Sequence, residues 1–339
     1  MTGMDAIRHH TYGPPETLVL EQVPDPLPGP DQVLVAARVH GVHLLDTTLR
    51  RGESSGPLPA PRLPAIPGRE VAGTVVAVGP DVEEGWLGAR VAAHLGATPD
   101  GGGYARLAVA PVEALHRLPD RLDLADAVAM IGTGRMALMA LEVAQPGPED
   151  VVVITAAAGG LGSLFVQSAL AAGARVLALA GGPRKVRAVR GLAPDAGQRL
   201  AVVDVSADGW PADARRALGR LRADAATLRI DGVGGGLGGE AAALLGPGGR
   251  LVVQGWASGS PNPVAASAVT PAGDPVDVRA VVGPGAPAFG DLRTYQRRAL
   301  ERAASGEWRV LTHRVAFAEA ARAHRELEER RTVGKVVLG

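Results

Sequence analysis

The chain has 339 residues, of which 46% are hydrophobic and 21% are charged, and its 35 basic side chains balance its 35 acidic ones. This composition suits an enzyme with two hydrophobic cores, and zero net charge gives no long-range attraction to nucleic acid or to an anionic membrane. The absence of cysteine excludes disulfides, thiolate nucleophiles and cysteine-bound metals. We expect a cytoplasmic protein, because residues 1–10 lack the apolar segment of a signal peptide and no apolar run approaches the roughly 20 residues of a membrane span.

The first part of the chain, up to about residue 122, predicts an irregular and mostly β domain. Turn clusters rich in proline and glycine, such as 26–30 and 52–61, separate short β-like runs. The predicted strands cover residues 33–39, 71–78, 90–93 and 104–109.

Strands and helices alternate from residue 123 onward. After an apolar helix over 124–143, predicted strands at 151–155, 175–180, 200–205, 227–231 and 250–254 alternate with helices at 160–172, 184–191, 212–221 and 238–245. This alternation predicts an α/β fold with a doubly wound parallel sheet. A sixth strand is a candidate at 276–282, and the C-terminal part (helix 292–305, strand 309–314, helix 317–330, strand 335–338) returns to mixed structure. We therefore predict a Rossmann domain over 123–263, between two parts of the other domain at 1–122 and 264–339.

A glycine-rich turn follows the first of these strands and opens a helix. Its sequence from residue 156 to residue 163 is AAAGGLGS, and residues this small let backbone amides approach a pyrophosphate closely. The helix N-terminus adds a partial positive charge. The residues predicted to bind a dinucleotide here are Ala156, Gly159, Gly160, Leu161 and Gly162.

The end of the second strand predicts which dinucleotide is bound. An NAD site usually has an acidic residue there, whereas this chain has Gly181 and Gly182, followed by Arg184 and Lys185. Cations in the first turn of a helix oppose its dipole at a cost of about 0.3–1 kcal/mol, and a bound 2′-phosphate would offset that cost. We predict NADPH; the alternative is that both cations are solvated helix residues.

Further motifs follow one another in a fixed order. They are GVHLLDTTLRRG at 41–52, PGREVAG at 67–73, GARV at 88–91, GGYA at 102–105, DGVGG at 231–235, GGRL at 248–251, AH at 323–324 and GKVVL at 334–338. With the glycine-rich turn, this set resembles the zinc-independent quinone oxidoreductase branch of the medium-chain dehydrogenase/reductase superfamily. The resemblance implies a GroES-like catalytic domain built from both chain ends, an inserted Rossmann domain, a cleft between the two and a homodimer.

The same resemblance extends the predicted cofactor site. Met136 stands where relatives approach the nicotinamide, and Gly255 and Trp256 follow the fifth strand, where backbone meets the carboxamide. Val233 and Gly234 of the DGVGG motif and Lys335 of the closing motif complete the predicted cofactor residues.

Zinc alcohol dehydrogenases share this fold, but two of their ligand positions differ here. Their catalytic metal is bound by a cysteine where this chain has His43 and by a histidine where it has Arg69. A catalytic zinc needs three protein ligands, and Arg69 would place a permanent cation beside the metal. The cysteine-rich zinc lobe is replaced by a short loop at 96–103. We predict that no metal is bound.

His43 is the first candidate for a catalytic group, because histidine can donate a proton near neutral pH. Relatives usually have asparagine there. Asp46 and Arg50 follow at distances that can share a helical turn with His43 and orient it, and Thr48 replaces a tyrosine that often lies in the substrate cleft. The alternatives are a buried histidine bonded to backbone and a structural salt bridge for Asp46 and Arg50.

These features predict an NADPH-dependent, zinc-independent reductase that transfers hydride to a quinone or an α,β-unsaturated carbonyl compound. Because His43, Thr48 and Met136 depart from the family, we expect a specialised biosynthetic substrate. Two alternatives are an enoyl reductase acting in trans on carrier-bound acyl chains and an NADPH-binding sensor or scaffold without turnover. The expected partners are a small-molecule substrate and a second copy of the chain, without nucleic acid or membrane.

Overall fold

The computed structural model describes residues 3–54, 58–96 and 102–339. Most of the predicted loop 96–103, part of the turn cluster 52–61 and the first two residues of the chain lie outside the described residues. The chain forms two compact units, the first comprising Met1–Arg135 and Leu292–Gly339 and the second Met136–Asp291.

The described residues contain the following strands and helices. The strands are β1 (Gly3–Arg8), β2 (Val19–Pro24), β3 (Gln32–Gly41), β4 (Glu70–Val78), β5 (Arg90–His94), β6 (Leu107–Pro111), β7 (Leu115–Arg117), β8 (Val151–Ile154), β9 (Arg175–Ala180), β10 (Leu200–Asp204), β11 (Ala226–Asp231), β12 (Leu245–Val253), β13 (Asp277–Ala280), β14 (Thr312–Val315) and β15 (Lys335–Leu338). The α-helices are α1 (Leu44–Arg50), α2 (Leu124–Ala129), α3 (Arg135–Ala144), α4 (Gly160–Ala171), α5 (Pro183–Leu192), α6 (Trp210–Arg220), α7 (Gly235–Ala242), α8 (Pro263–Ser267), α9 (Leu292–Ser305) and α10 (Ala320–Glu328).

A mixed sheet forms the core of the first unit. Its strand order is β14-β15-β3-β4-β5-β7, and β6 also pairs with β3. Val33, Val35, Val71 and Val91 alternate along their strands onto one buried face, as expected for a sheet with one packed side. The C-terminal strand β15 pairs with β3 antiparallel, which places Lys335 in the same sheet as the strand that leads to His43. The β1–β2 hairpin and β7 had not been predicted.

A parallel sheet forms the core of the second unit, and the predicted doubly wound α/β class is confirmed. Its strand order is β10-β9-β8-β11-β12-β13, with every pair parallel. The central strands are buried on both faces, which explains their continuous apolar runs. The candidate sixth strand at 276–282 is β13.

Both boundaries of the second unit differ from the predicted 123–263, and residues 123–135, predicted for the Rossmann domain, lie in the first unit. Residues 264–291 had been assigned to the first domain, but they lie in the second unit. The reason is packing: Val264 of α8 and Val276 join a core cluster with Leu245 and Leu251 of β12, and β13 extends the parallel sheet. The short helix and strand are too brief to stand out in a segment rich in proline and glycine.

One helical run, Leu124–Ala144, is long and apolar enough by composition to cross a membrane, contrary to the expectation that no such run exists. Within the folded protein 72% of its apolar window is buried. The run consists of α2, a π-helical turn (Met130–Gly134) and α3, and α2 packs against β3 and β4. Its apolar composition therefore reflects burial in the core.

Candidate active site

His43 immediately precedes α1, at the carboxyl end of β3. Asp46 turns back so that its Oδ2 accepts a hydrogen bond from the backbone N–H of His43 at 2.8 Å. The spacing of three residues thus places Asp46 in the first turn of α1, where it fixes the backbone that carries the imidazole. The side chain of His43 is 30% exposed.

Two buried side chains meet the imidazole of His43. Its Nε2 lies 2.7 Å from Oε2 of Glu70 and 2.6 Å from Nζ of Lys335, and Nζ lies 3.3 Å from the same Oε2. Glu70 and Lys335 have side chains only 1% and 5% exposed, so His43 is the most accessible of the three. We call His43, Glu70 and Lys335 the His43 cluster.

Two glycines make room for the carboxylate of Glu70. A methyl group at Gly41 or at Gly132 would overlap the Glu70 carboxylate, and one at Gly132 would also lie 3.1 Å from Cε1 of His43. Gly132 belongs to the π-helical turn between α2 and α3, and such turns are frequent at functional sites. The interrupted helix therefore contributes backbone directly to the cluster.

Within the His43 cluster, Glu70 and Lys335 each stabilise the charged form of the other. Burial alone would raise the pKa of Glu70, but the neighbouring His43 and Lys335 outweigh it and hold that pKa well below its ordinary value. Burial lowers the pKa of Lys335, and the carboxylate of Glu70 opposes that shift. A lysine whose ammonium form is disfavoured by burial is a better proton donor to the adjacent imidazole than a solvated lysine.

A second buried network begins at Asp46 and leads to Arg50. Tyr104 donates its hydroxyl to Asp46 at 3.2 Å, and Nε2 of His324 lies 3.1 Å from the same hydroxyl. Nη1 of Arg50 lies 3.2 Å from Nδ1 of His324, and because arginine only donates, the proton of His324 is on Nε2. The Arg50 guanidinium also binds Glu328 at 2.8 Å. Arg50 is 1% exposed, and its guanidinium contacts His324 and Glu328 within this network.

The other predicted residues of α1 and the zinc position have the following surroundings. The hydroxyl of Thr48 donates a hydrogen bond to the backbone carbonyl of Leu44 at 3.4 Å. Arg69 lies 3.3 Å from the carboxylate of Asp46, so a paired guanidinium occupies the position of a zinc ligand. Within residues 3–54, 58–96 and 102–339, no three His, Asp or Glu side chains are grouped to hold a metal ion.

Three histidines of the first unit should make the protein acid-sensitive. Burial lowers the pKa of His40 and of His94 to about 4 and that of His324 to about 3. The unfolded chain takes up these protons below about pH 6.5, so each histidine should remove about 1.4 kcal/mol of stability per pH unit between pH 6.5 and its folded pKa. Stability that is complete above pH 6.5 is thus lost as the pH falls. Denaturant midpoints measured across this range should show a smaller slope for His324→Gln than for wild type, whereas the exposed control His10→Gln should keep the wild-type slope.

The glycine-rich turn of the second unit leads from β8 into α4. Ala156 has a left-handed backbone (φ 47°), and its carbonyl accepts from the N–H of Gly159 at 2.8 Å. A side chain at Gly162 would overlap the same carbonyl. No side chain caps α4, so the backbone amides of Gly160, Leu161 and Gly162, which lack intrahelical acceptors, are available to an anion.

The carboxyl end of β9 adjoins this turn. Gly182 has φ 91°, and its N–H donates to Oδ1 of Asp204 at 2.7 Å. Helix α5 begins one residue later with Arg184 and Lys185 in its first turn and no acidic residue there. Asp204, the last residue of the neighbouring strand β10, accepts hydrogen bonds from Gly182 and Ser206.

Asp231, at the end of β11, organises the next loop. Its carboxylate accepts from Thr155 at 2.8 Å, from Asn262 at 2.6 Å and from the backbone N–H groups of Val233 and Gly234. The N–H of Ser258, beyond Gly255 and Trp256, bonds the carbonyl of Val233, and Trp256 is 52% exposed. Met136 is half-buried in α3. The predicted cofactor residues of the second unit, except Met136, thus lie on loops and helix N-termini at the carboxyl ends of β8, β9, β11 and β12, the usual ligand edge of such sheets.

Comparison with known proteins agrees with this fold and these loops. Residues 29–120 match the alcohol dehydrogenase GroES-like domain, and residues 201–338 match a family described as zinc-binding dehydrogenase. A quinone oxidoreductase from Pseudomonas aeruginosa is 33% identical over 336 residues, covering 98% of each chain. The chain belongs to the quinone oxidoreductase family. It is therefore an oxidoreductase of the medium-chain dehydrogenase/reductase type, as the sequence motifs had predicted.

Two further family members extend the comparison. A mycobacterial protein solved in complex with NADPH superposes with a TM-score of 0.78 at 30% identity and covers 99% of each chain. A protein from a Burkholderia species named 2-haloacrylate reductase is 35% identical over 189 residues, or 54% of this chain and 55% of the relative.

Sequence reasoning had missed several members of the candidate site. Glu70 belongs to the PGREVAG motif, and Tyr104 and His324 belong to GGYA and AH, but the motifs alone assign these residues no role in a site. Lys335 is predicted as a cofactor residue, and the structure places its Nζ in contact with His43 and Glu70. Two sequence signals were available for these residues. Glu70 and His324 each lie within a family motif, and Lys335 is one of only two lysines in the chain.

Proposed function

We propose that this quinone oxidoreductase family member is an NADPH-dependent, zinc-independent reductase that transfers hydride to a quinone or an α,β-unsaturated carbonyl compound. The observation that carries the proposal is His43, a partly exposed imidazole in contact with a buried lysine and a buried carboxylate. Reduction of an enone by hydride leaves an enolate that needs one proton. His43, the exposed residue of the His43 cluster, would donate that proton.

NADPH would supply the hydride, and the residues present fit it. The uncapped start of α4 and the turn from Ala156 to Gly162 would hold the pyrophosphate, and the loops at Val233 and Gly255 would border the rest of the dinucleotide. Arg184 and Lys185, in the first turn of α5, would hold the 2′-phosphate. The NADPH complex of the mycobacterial relative supports this choice of nucleotide.

The double variant Arg184→Gln/Lys185→Gln tests the nucleotide preference. We expect the wild type to bind NADPH at least about tenfold more tightly than NADH, and the variant to lose most of that preference because two charged contacts to the phosphate are removed. Titration followed by the fluorescence of the reduced nicotinamide measures both affinities. Arg215→Gln/Arg216→Gln, on α6, is the charge-matched control. Equal affinities of the wild type for the two nucleotides would contradict the assignment.

The enolate would be protonated by two linked proton transfers, one from His43 to the enolate and one from Lys335 to His43. When Lys335 is an ammonium, its Nζ donates to Nε2 of His43 and the imidazole carries its own proton on the other ring nitrogen. As that second nitrogen gives its proton to the enolate, Nε2 takes one from Lys335. Glu70, 2.7 Å from Nε2, stabilises the positive charge on whichever partner holds the proton.

The choice of acceptor is tested by following NADPH oxidation with menadione and with methyl vinyl ketone. Relatives named quinone oxidoreductase and 2-haloacrylate reductase support both acceptor types. A specialised biosynthetic substrate, a cytoplasmic location and a homodimer stay predictions, and sedimentation analysis tests the last. Absence of turnover with both acceptors, despite tight NADPH binding, would favour the sensor alternative.

A basic groove of the second unit bears on the carrier-bound alternative. It has a volume of about 750 Å³ and is lined by Arg190, Arg220 and Arg222 beside the first residues of β10. The dinucleotide turn lies at the opposite, carboxyl end of the parallel strands. A carrier protein bound at this groove would be remote from that turn, so the groove does not favour the carrier-bound alternative.

A further inference from the structure

Arg135 is a partly buried cation to which the described part of the chain offers no ion-pair partner. It is the first residue of α3, directly after the π-helical turn that places Gly132 against Glu70 and His43. Its Nε is inaccessible to solvent and has no hydrogen-bond partner. Among the described residues, no acidic side chain forms an ion pair with its guanidinium.

The acidic side chains around the His43 cluster are already paired with cations other than Arg135. Arg69 is paired with Asp46, and Lys335 is paired with Glu70. Arg135 is close enough to Lys335 and His94 that its charge helps to lower the pKa of each. Burial lowers the pKa of Arg135 itself, and the charge of Glu70 only partly opposes that shift.

A cation that is partly withdrawn from water and has no anion beside it is destabilised, and a ligand that supplies the missing anion removes that cost. Arginine presents a planar fork of donors that matches a carboxylate, and such pairs are bidentate and geometrically specific. The anion site lies near the proposed proton donor, His43. A proton donor at this place has a use only if the bound anion is itself the substrate. The two features together describe a substrate that carries a carboxylate near its reducible double bond.

We propose that Arg135 binds the carboxylate of the substrate and that the preferred acceptors are small α,β-unsaturated carbonyl compounds bearing a carboxylate. This inference rests on the proposed function and narrows its substrate class. In the reaction, hydride from NADPH forms the new C–H bond at the carbon β to the carbonyl, the double bond becomes an enolate, and a proton from His43 adds to the α-carbon. NADPH is oxidised to NADP⁺, the alkene is reduced, and one proton is taken from water to restore the cluster.

The test compares acetylacrylate with its methyl ester, which has the same enone and no charge. The wild type should prefer the acid, and Arg135→Gln should lower the acid-to-ester ratio of kcat/KM by about 10- to 100-fold. Arg38→Gln, which removes one exposed cation of β3, should leave the ratio unchanged. A wild type that prefers the ester, or an unchanged ratio in Arg135→Gln, would overturn the inference.

A binding measurement separates this inference from the proposed function. Levulinate, the product of acetylacrylate reduction, should raise the Tm of the wild type in the presence of NADP⁺ and should raise that of Arg135→Gln much less, whereas methyl levulinate should raise neither. A Tm shift that depends on Arg135 without any NADPH oxidation would uphold the carboxylate site and refute the reductase. Turnover of neutral enones with no Arg135-dependent shift would do the reverse.

Discussion

His43→Ala should lower kcat with an enone by about 100- to 10,000-fold, the range expected when a general acid is removed. The affinity for NADPH should stay near the wild-type value, because His43 belongs to the first unit and the dinucleotide turn to the second. Steady-state kinetics with methyl vinyl ketone and a fluorescence titration measure the two quantities. Added imidazole should restore part of the lost rate, since it can occupy the space left by the side chain.

His10→Ala is the matched control for this experiment, because His10 is an exposed histidine of the same unit whose contact is Glu21 on the surface. It should keep the wild-type kcat. If His43→Ala also retained a kcat within about threefold of wild type, proton donation by His43 would be wrong, and the imidazole would be a packing residue of the cluster.

Lys335→Met should destabilise the protein by about 3–5 kcal/mol, because it leaves the carboxylate of Glu70 buried without its ammonium partner. The double variant Glu70→Gln/Lys335→Met should recover a large part of that loss, since the buried carboxylate is then removed together with its ammonium partner. Equilibrium unfolding in guanidinium, read as a double-mutant cycle, gives the coupling between the two residues.

An exposed ion pair provides the reference for this cycle. Arg297 and Glu301, on the surface of α9, are one helical turn apart and 2.7 Å from each other, and Arg297→Met should cost less than about 0.5 kcal/mol. Losses of similar size for Lys335→Met and Arg297→Met would show that the Glu70–Lys335 pair is solvated in solution, and the proton path through Lys335 would then fail.

The second unit was more predictable from sequence than the candidate site. Its strands are continuous apolar runs. The dinucleotide turn is one contiguous segment, and its small residues, such as Ala156 and Gly162, determine both the backbone geometry and the exposed amides that would bind phosphate. The fold of this unit follows from that local pattern because each βα unit repeats it. The segment 264–291 escaped prediction because its membership depends on packing against β12.

The His43 cluster could not be assembled from local pattern. Lys335 and His43 are separated by 292 residues and meet only because β15 pairs with β3. Glu70 reaches them through the pairing of β4 with β3, and Gly132 through a π-helical turn that no periodicity predicts. The prediction that Asp46 lies one helical turn from His43 used local spacing, and the structure places it there.

Transfer of deuterium from labelled NADPH tests the central claim most directly. The enzyme would be supplied with NADPH deuterated on either face of nicotinamide C4, together with methyl vinyl ketone or acetylacrylate, and the reduced product analysed by mass spectrometry and NMR. We predict that the label from one face alone appears on the carbon β to the ketone. NADPH that binds without being oxidised, or products that carry no deuterium from either face, would contradict hydride transfer by this protein.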